Sequence, residues 1–226
     1  FHAPFPKPYS DLTVEDALAG LKDLFAADVD PARVAAVIIE PVQGEGGFYV
    51  APVAFLQALR KLCDEHGILF IADEIQTGMA RTGKMFAIEH AGVIPDLIVM
   101  AKGLGGGFPL AAVTGRADLM DAALPGGLGG TYAGSPVGLS AAAAVLDVID
   151  EEKLNDKAVA LGKLIKGRLE GMQKRNEFAC MGDVRGLGAM VAVELVKDRV
   201  SKTPDADLTT RVVAKCQEKG LLILTC

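Results

Sequence analysis

Short runs of apolar residues, bounded by glycine or proline, recur through the first half of the chain. They cover Val34–Glu40, 68–72, 96–100 and Leu110–Gly115, and they lack the periodic spacing of an amphipathic helix. Continuous short runs of this kind predict strands that are buried on both faces, as in a parallel sheet. We therefore expect an α/β fold with a mostly parallel sheet flanked by helices.

Segments with helical spacing lie between and after these runs. Thr13 is a candidate N-cap for the first of them, and Asp16 three residues later would complete an imperfect capping box. Gly67 is a candidate C-cap for the second. The predicted helices cover about 13–27, 52–66, 135–150, 152–175 and 207–219, with a short helical or irregular stretch before Ala91.

The last third of the chain changes character. The segment Asp183–Val196 favours an antiparallel pair, and the apolar run over 221–225 favours a terminal strand. We place a boundary near residue 152, between a large domain over 1–152 and an incomplete small domain over 153–226. The start at Phe1, without a signal-peptide pattern, and the stop directly after an apolar run indicate a piece of a longer protein.

Composition narrows the class of protein. Half of the 226 residues are hydrophobic and 23% are charged, so a sizeable core is possible. The net charge of −6 without a basic patch argues against nucleic acid or an anionic membrane as a partner, and no apolar run is long enough to span a bilayer. Four scattered cysteines without CxxC spacing predict reduced thiols of a cytoplasmic protein, and the three histidines show no metal-ligand spacing.

A lysine and an aspartate follow two of the predicted strands. Asp73 closes the run over 68–72, and Lys102 follows the run over 96–100 and opens the glycine-rich turn Gly103–Gly107. Because ligands bind beyond the carboxyl ends of parallel strands, both side chains are expected at one edge of the sheet. Pyridoxal phosphate requires this pair, a lysine for its Schiff base and an acid for its pyridinium nitrogen.

Three further side chains are candidates for the same site. Gln76 lies in the turn after Asp73, where its amide could reach the ring oxygen of such a cofactor as a hydrogen-bond donor. Thr131 ends the glycine-rich loop Gly126–Gly130 just before a predicted helix, an arrangement that binds phosphate. Glu45 lies on a glycine-rich turn after the first strand, where it could contact a substrate or a cationic side chain.

Four separate segments match one protein family in order and approximate spacing. They are Glu40–Gly47, Ala72–Gly78, Ala101–Gly107 and Gly130–Gly134. Together they resemble the class III (ω-amino acid) aminotransferases of pyridoxal-phosphate fold type I. Within that family, Gly126–Gly134 and Asp183–Met190 are most similar to the 4-aminobutyrate aminotransferases of bacteria. The resemblance runs along essentially the whole chain, which corresponds to about half of such an enzyme.

This resemblance implies a role for each candidate. Lys102 would form the Schiff base with pyridoxal 5′-phosphate and move the proton of the substrate carbon, Asp73 would pair with the pyridinium nitrogen, and Gln76 would contact the ring oxygen. Thr131 would bind the cofactor phosphate of the neighbouring subunit in a homodimer or a dimer of dimers. Glu45 would be the gating glutamate, which pairs with an arginine expected beyond Cys226.

Two other positions depart from this set of roles. Arg185 resembles a structural turn residue of the small domain and is not assigned to substrate binding. Met79 stands where an aromatic residue often follows in the family, so packing near Gln76 is expected to differ. The phosphate-binding glycine-serine loop and the aromatic ring that stacks on the cofactor would lie before Phe1.

The reaction that the resemblance implies is transfer of the amino group of 4-aminobutyrate to 2-oxoglutarate, giving succinate semialdehyde and glutamate. Alternatives on the same scaffold are 5-aminovalerate, ornithine or acetylornithine as the amino donor, or an intramolecular aminomutase. A non-catalytic phosphate or nucleotide binder using Gly103–Gly107 is a different class, but neither a P-loop nor a Rossmann fingerprint is present. An inactive fragment is the remaining alternative.

Overall fold

The computed structural model describes all 226 residues, Phe1–Cys226. Its strands form a four-stranded and a two-stranded sheet, and they are β1 (Ala36–Ile39), β2 (Leu69–Asp73), β3 (Leu97–Met100), β4 (Ala112–Gly115), β5 (Met181–Leu187) and β6 (Met190–Leu195). The helices are α1 (Val14–Ala27), α2 (Val53–His66), α3 (Ala117–Met120), α4 (Pro136–Glu151), α5 (Leu154–Gln173) and α6 (Ala206–Glu218).

The larger sheet has the order β1-β2-β3-β4. Its first three strands are parallel, with Ile39 opposite Ala72 and Asp73 opposite Val99, whereas β4 runs antiparallel to β3. Helices pack on this mixed, mostly parallel sheet, so the predicted α/β class is confirmed. The carboxyl ends of β1, β2 and β3 therefore meet at one edge.

Helix α2 connects β1 to β2 and supplies much of the core. Its start follows Pro52, and it ends at Gly67, whose φ of 67° is the left-handed conformation that glycine adopts most readily. Its apolar face packs on β2 and α1 in one buried cluster, whose members from α2 and β2 are Phe55, Leu56, Leu59, Leu62, Cys63, Phe70 and Ala72. Burial raises the pKa of the Cys63 thiol to about 11.

The N-terminus of α1 shows how closely local sequence determines local structure. The hydroxyl of Thr13 accepts a hydrogen bond from the backbone N–H of Asp16 at 3.1 Å. In return, the Asp16 carboxylate accepts one from the backbone N–H of Thr13 at 3.0 Å. The capping box predicted from these two residues is therefore present.

The two-stranded sheet pairs β5 with β6, and α5 packs against it. Glycines permit close contacts between α5 and the β5–β6 turn, and between that turn and the segment that contains Thr82. A Cβ on Gly162 of α5 would overlap the carbonyl of Gly188, and a Cβ on Gly188 would overlap the backbone of Thr82. Helices α4 and α5 meet near residue 152, where the boundary between a large and a small domain stays a prediction.

The expected strand over 221–225 is wrong. These residues make no ladder with another segment, and the only backbone hydrogen bond there runs from the Leu221 N–H to the Cys216 carbonyl at 2.9 Å. Apolar, β-branched composition favours a strand only where a neighbouring strand supplies hydrogen-bond partners, and none lies beside this run. None of the helices is both long and apolar enough to cross a membrane.

Candidate active site

Three polar side chains follow the carboxyl ends of the three parallel strands. Glu40 comes directly after β1, Asp73 is the last residue of β2, and Lys102 lies two residues after the end of β3. Asp73 and Lys102 are therefore held by neighbouring strands, as the sequence predicted. The shared edge of the sheet makes this the candidate active site.

The backbone turns sharply at Lys102. Its φ is +43°, a left-handed conformation that a residue with a side chain seldom adopts, and it opens a single 3₁₀ turn that ends at Gly105. Its side chain is half exposed, and its amine donates no hydrogen bond within the chain. The nearest carboxylate is that of Glu45, with Nζ and Oε1 3.9 Å apart. The lysine amine is therefore accessible to a ligand, and a left-handed backbone at a residue with a side chain is more frequent at functional positions than elsewhere.

The carboxylate of Asp73 is only partly used by the protein. One oxygen accepts a hydrogen bond from the backbone N–H of Ile75 at 3.1 Å, which fixes the side chain in a local turn. The second oxygen has no hydrogen-bond partner in the chain. A ligand N–H at this edge of the sheet would find an oriented acceptor there.

The side chain of Gln76 connects Asp73's turn to the loop after β1. Its amide nitrogen donates to Oε1 of Glu45 at 3.2 Å. Its amide oxygen is buried and has no partner, and a buried acceptor without a donor is costly. Gly44 makes room for this side chain, because a Cβ at Gly44 would overlap the Gln76 amide. The free oxygen is therefore a candidate contact for a ligand that donates a hydrogen bond.

Glu74, the neighbour of Asp73, stabilises the turn that follows β2. It is almost fully buried, and its carboxylate accepts hydrogen bonds from the Thr77 hydroxyl and from the backbone N–H groups of Ala87 and Ile88. Burial raises the pKa of the Glu74 carboxyl, although these donors favour its charged form. The side chain fixes the turn that carries Gln76, a role that the sequence analysis did not assign.

Glu45 lies at the tip of a closed loop between β1 and α2. A bridge between Val42 and Val50 closes the loop, and the Gln43 N–H donates to the Tyr49 carbonyl at 2.9 Å. The carboxylate of Glu40 is bound by the loop itself, because it accepts a hydrogen bond from the Gly44 N–H at 2.8 Å. The Glu45 carboxylate is exposed and meets only Gln76 and Lys102.

Arg185 was expected to be a turn residue, and this expectation is wrong. It lies within β5, and the turn between β5 and β6 comes three residues later. The physical reason is that Arg185 pairs with Ala192 in the ladder, which makes it a strand residue. Its side chain contacts Tyr49 and the loop that carries Glu45. A Val-Arg-Gly sequence alone could not reveal this contact, since the loop is distant in sequence.

The structure does not bring Thr131 to the other candidates. The loop Gly126–Gly134 is exposed, and the Thr131 hydroxyl makes no hydrogen bond within the chain. Lys102, Asp73, Gln76 and Glu45 therefore lie together, while no hydrogen bond or ion pair links Thr131 to them. The side chain of Met79 packs partly buried beside Met100 and Leu104, and its backbone is left-handed with a φ of 58°.

The chain is similar to known aminotransferases over its whole length. The 5-aminovalerate aminotransferase DavT of Pseudomonas putida and the 4-aminobutyrate aminotransferase GabT of Escherichia coli are each 52% identical to it over 100% of this chain, which corresponds to 52% and 53% of those proteins. The chain thus spans about half the length of the curated relatives it matches.

Solved structures agree with this similarity. A PLP-bound amine transaminase from an uncultivated Pseudomonas species matches with a TM-score of 0.87 at 32% identity, over 97% of this chain and 52% of that one. The model of the family described as "Aminotransferase class-III" matches residues 1–226. With its candidate lysine and aspartate at the ends of neighbouring strands, the chain belongs to the class III aminotransferase family.

Proposed function

We propose that the protein to which this chain belongs transfers the amino group of an ω-amino acid, 4-aminobutyrate, to 2-oxoglutarate. The products would be succinate semialdehyde and glutamate. The observation that carries the proposal is the placement of Lys102 and Asp73 after adjacent parallel strands, each with a reactive group that the chain leaves free. Identity of 52% to a 4-aminobutyrate aminotransferase supports transamination of an ω-amino acid.

The residues present fit pyridoxal 5′-phosphate, the cofactor of class III aminotransferases. The unpartnered oxygen of Asp73 could accept the N–H of a protonated pyridine ring. The Gln76 amide nitrogen, which was expected to donate to the ring oxygen, donates to Glu45 at 3.2 Å. Its amide oxygen, which is buried without a donor, could instead accept a hydrogen bond from the ring hydroxyl. Lys102 would hold the aldehyde carbon through its amine. When bound, this cofactor supplies an electron sink for the negative charge that develops on the amine-bearing carbon of a substrate.

In this proposal, residues of the chain control two protons, one on the ring nitrogen of the cofactor and one on the reacting carbon of the substrate. Asp73 would keep the ring nitrogen protonated through a charge-assisted hydrogen bond, which is worth about 1.5–3 kcal/mol. Once displaced by substrate, the Lys102 amine would take a proton from the substrate carbon and return it nearby, as a general base and then a general acid. Glu45 would meet the charged end of the substrate or a cationic side chain at the mouth of the site.

Assembly is part of the proposal. Thr131 would serve the phosphate of the cofactor in a neighbouring subunit, and its exposed hydroxyl without a partner is compatible with that role. A homodimer, alone or paired into a dimer of dimers, would then be needed for a complete site. We propose a cytoplasmic protein on the ground of its scattered, unpaired cysteines.

Replacing Lys102 by alanine in the full-length enzyme tests the proposal. We expect turnover with 4-aminobutyrate and 2-oxoglutarate to fall by about 10²–10⁴-fold or more, because the only general base of the site is lost. Borohydride reduction after addition of pyridoxal phosphate should label Lys102 in the parent enzyme, as read by peptide mass spectrometry. Lys61→Ala on the exposed face of α2 is the control and should keep full activity. Unchanged turnover in Lys102→Ala would contradict the proposal.

5-Aminovalerate is the second candidate donor, because its aminotransferase from Pseudomonas putida is as similar to the chain as the 4-aminobutyrate enzyme. Measuring kcat/KM for both donors, with ornithine and acetylornithine alongside, separates these alternatives. A higher kcat/KM for 5-aminovalerate than for 4-aminobutyrate would replace the proposed donor while leaving the reaction class in place.

A further inference from the structure

The guanidinium of Arg185 connects the two-stranded sheet to the loop that carries Glu45. Its Nε donates to the carbonyl oxygen of Gly47 at 2.6 Å, across 138 residues of sequence. Its other nitrogens meet the carboxylates of Glu194 at 2.7 Å and Asp183 at 3.2 Å. Its Cζ atom lies 3.9 Å from the centre of the Tyr49 ring. The side chain is only 14% exposed, so these contacts are shielded from water.

The backbone at the tip of this loop is rich in glycine. Gly44, Gly46 and Gly47 surround Glu45, and glycine backbones lose the most conformational entropy on becoming ordered. The hydrogen bonds within the tip run between its own residues, as from the Gly47 N–H to the Gly44 carbonyl at 3.1 Å. From outside the loop, the Glu45 carboxylate itself meets only the Gln76 amide at 3.2 Å and the Lys102 amine at 3.9 Å, and its side chain is 82% exposed. A further contact to the loop backbone would therefore restrict the positions that Glu45 can take.

The contacts of Tyr49 strengthen the contact of Arg185 with the loop. Its hydroxyl donates to Glu194 at 3.2 Å, so the loop and β6 share a carboxylate with Arg185. The amine of Lys7 lies 4.8 Å from the centre of the same ring on a separate segment. Gly47 has a φ of 107°, and a Cβ there would come within 3.0 Å of the Arg185 guanidinium. Glycine suits this position, because the positive φ and the close approach of the guanidinium both disfavour a side chain.

We propose that Arg185 is a positioning residue, which holds the carboxylate of Glu45 beside Gln76 and Lys102 through the Gly47 carbonyl. The role of Glu45 in turnover rests on the proposed function, whereas the contact itself does not. Arginine suits the task because one planar group can serve a carbonyl and two carboxylates at once and stays charged at all relevant pH values. A lysine has the charge but cannot satisfy all of these acceptors in fixed directions.

Hydrogen exchange of the full-length protein, with and without cofactor, tests the contact independently of activity. In Arg185→Lys we expect backbone exchange over 41–51 to become about tenfold faster, which is the loss of one charged hydrogen bond, while α2 keeps its protection. Gly47→Ala disturbs the same contact from the loop side and should also make backbone exchange over 41–51 faster.

Arg199→Gln is the matched control. This arginine of the small unit also donates to backbone carbonyls, those of Met181, Gln173 and Phe178, but it does not touch the loop. It should leave exchange over 41–51 unchanged. Unchanged exchange over 41–51 in both Arg185→Lys and Gly47→Ala would overturn the proposal, as would equally faster exchange over α2.

A double-mutant cycle then links position to turnover. Arg185→Lys and Glu45→Gln should each lower kcat/KM for the ω-amino donor by about tenfold, and the pair should cost no more than Glu45→Gln alone, since Arg185 acts through Glu45. Independent, multiplying effects would contradict positioning. If the wild-type enzyme transaminates no ω-amino acid, the proposed function fails, while the exchange result still decides the role of Arg185.

Discussion

At the scale of single residues, buried Asp96 has an unusually complete set of partners. It lies just before β3, and its carboxylate accepts hydrogen bonds from the Phe70 N–H at 2.7 Å, from Arg60 at 2.7 Å and from Arg116 at 2.9 Å. Burial alone would raise the pKa of the Asp96 carboxyl, but these donors outweigh it and hold the pKa below its usual range. Asp96, directly before β3, thus connects β3 to β2 and α2.

Replacing Asp96 by asparagine should lower the free energy of unfolding by about 3 kcal/mol at neutral pH, because a buried ion pair loses one partner. A carboxyl with a lowered folded pKa stabilises the fold above its unfolded pKa of about 3.9, and that stability is lost as pH falls through the folded value. The wild type should therefore lose stability below about pH 4 more steeply than Asp96→Asn. Denaturant unfolding at several pH values measures both effects.

The control for this prediction is Asp64→Asn. Asp64 pairs with the same Arg60 at 2.7 Å, but its side chain is 65% exposed. A solvent-screened pair of this kind contributes about 0.5 kcal/mol or less. Equal losses in the two variants would show that burial of Asp96 does not determine its contribution.

The sequence was sufficient to predict the place of some residues of the site but not of others. Asp73 and Lys102 could be placed together because each follows a short apolar run and parallel strands end at one edge. Glu74 and Arg185 could not be assigned, since their roles depend on which distant backbone groups reach them. The N–H groups of Ala87 and Ile88 and the Gly47 carbonyl have no signature in the local sequence. Tertiary contacts between distant segments decide such roles.

At the scale of elements, local chemistry determined most boundaries. Thr13 begins α1 and Gly67 ends α2, as caps predict, and β2 and β3 lie within a residue of the predicted runs. The antiparallel direction of β4 and the absence of a strand over 221–225 were not predictable in the same way. Both depend on which strand lies alongside, and that information is not in the run itself.

The turn between β5 and β6 provides a prediction at this scale. Gly188 has a φ of 56°, and a Cβ there would overlap the backbone of Thr82. We expect Gly188→Ala to lower the free energy of unfolding by about 2–4 kcal/mol, which combines left-handed strain with overpacking. Thermal or denaturant unfolding of the full-length enzyme measures the loss.

Gly92→Ala is its matched control. Gly92 has a similar φ of 63°, but nothing lies within 4 Å of a Cβ at that position. This variant carries only the left-handed cost, about 1–2 kcal/mol. If both variants lost the same free energy, the contact between Gly188 and Thr82 would have no energetic importance.

At the scale of the whole molecule, Thr131 yields the sharpest prediction. If it serves the site of a neighbouring subunit, inactive Lys102→Ala and impaired Thr131→Ala subunits should complement each other. A mixed dimer contains one site with an intact Lys102 and an intact Thr131. Unfolding and refolding the two variants together should restore up to about one quarter of wild-type activity, because half of the dimers are mixed and each has one complete site.

Mixing Lys102→Ala with a Lys102→Ala, Thr131→Ala double variant is the negative control. No dimer in that mixture has a site with a lysine, so activity should stay at background. Complementation that failed in the first mixture, with dimers shown to form, would place Thr131 in the site of its own subunit or outside it.

The Arg185 contact also bears on enzyme engineering. From the sequence, the Glu45 loop would be taken for a segment that folds without distant contacts, since it begins and ends within a dozen residues of β1. Its carbonyl at Gly47 and its ring at Tyr49 are nevertheless held by side chains from β5 and β6. Grafting this loop into another transaminase to change its donor preference should therefore require co-transfer of Arg185 and Glu194, and chimeras divided between the two regions should lose selectivity before they lose stability.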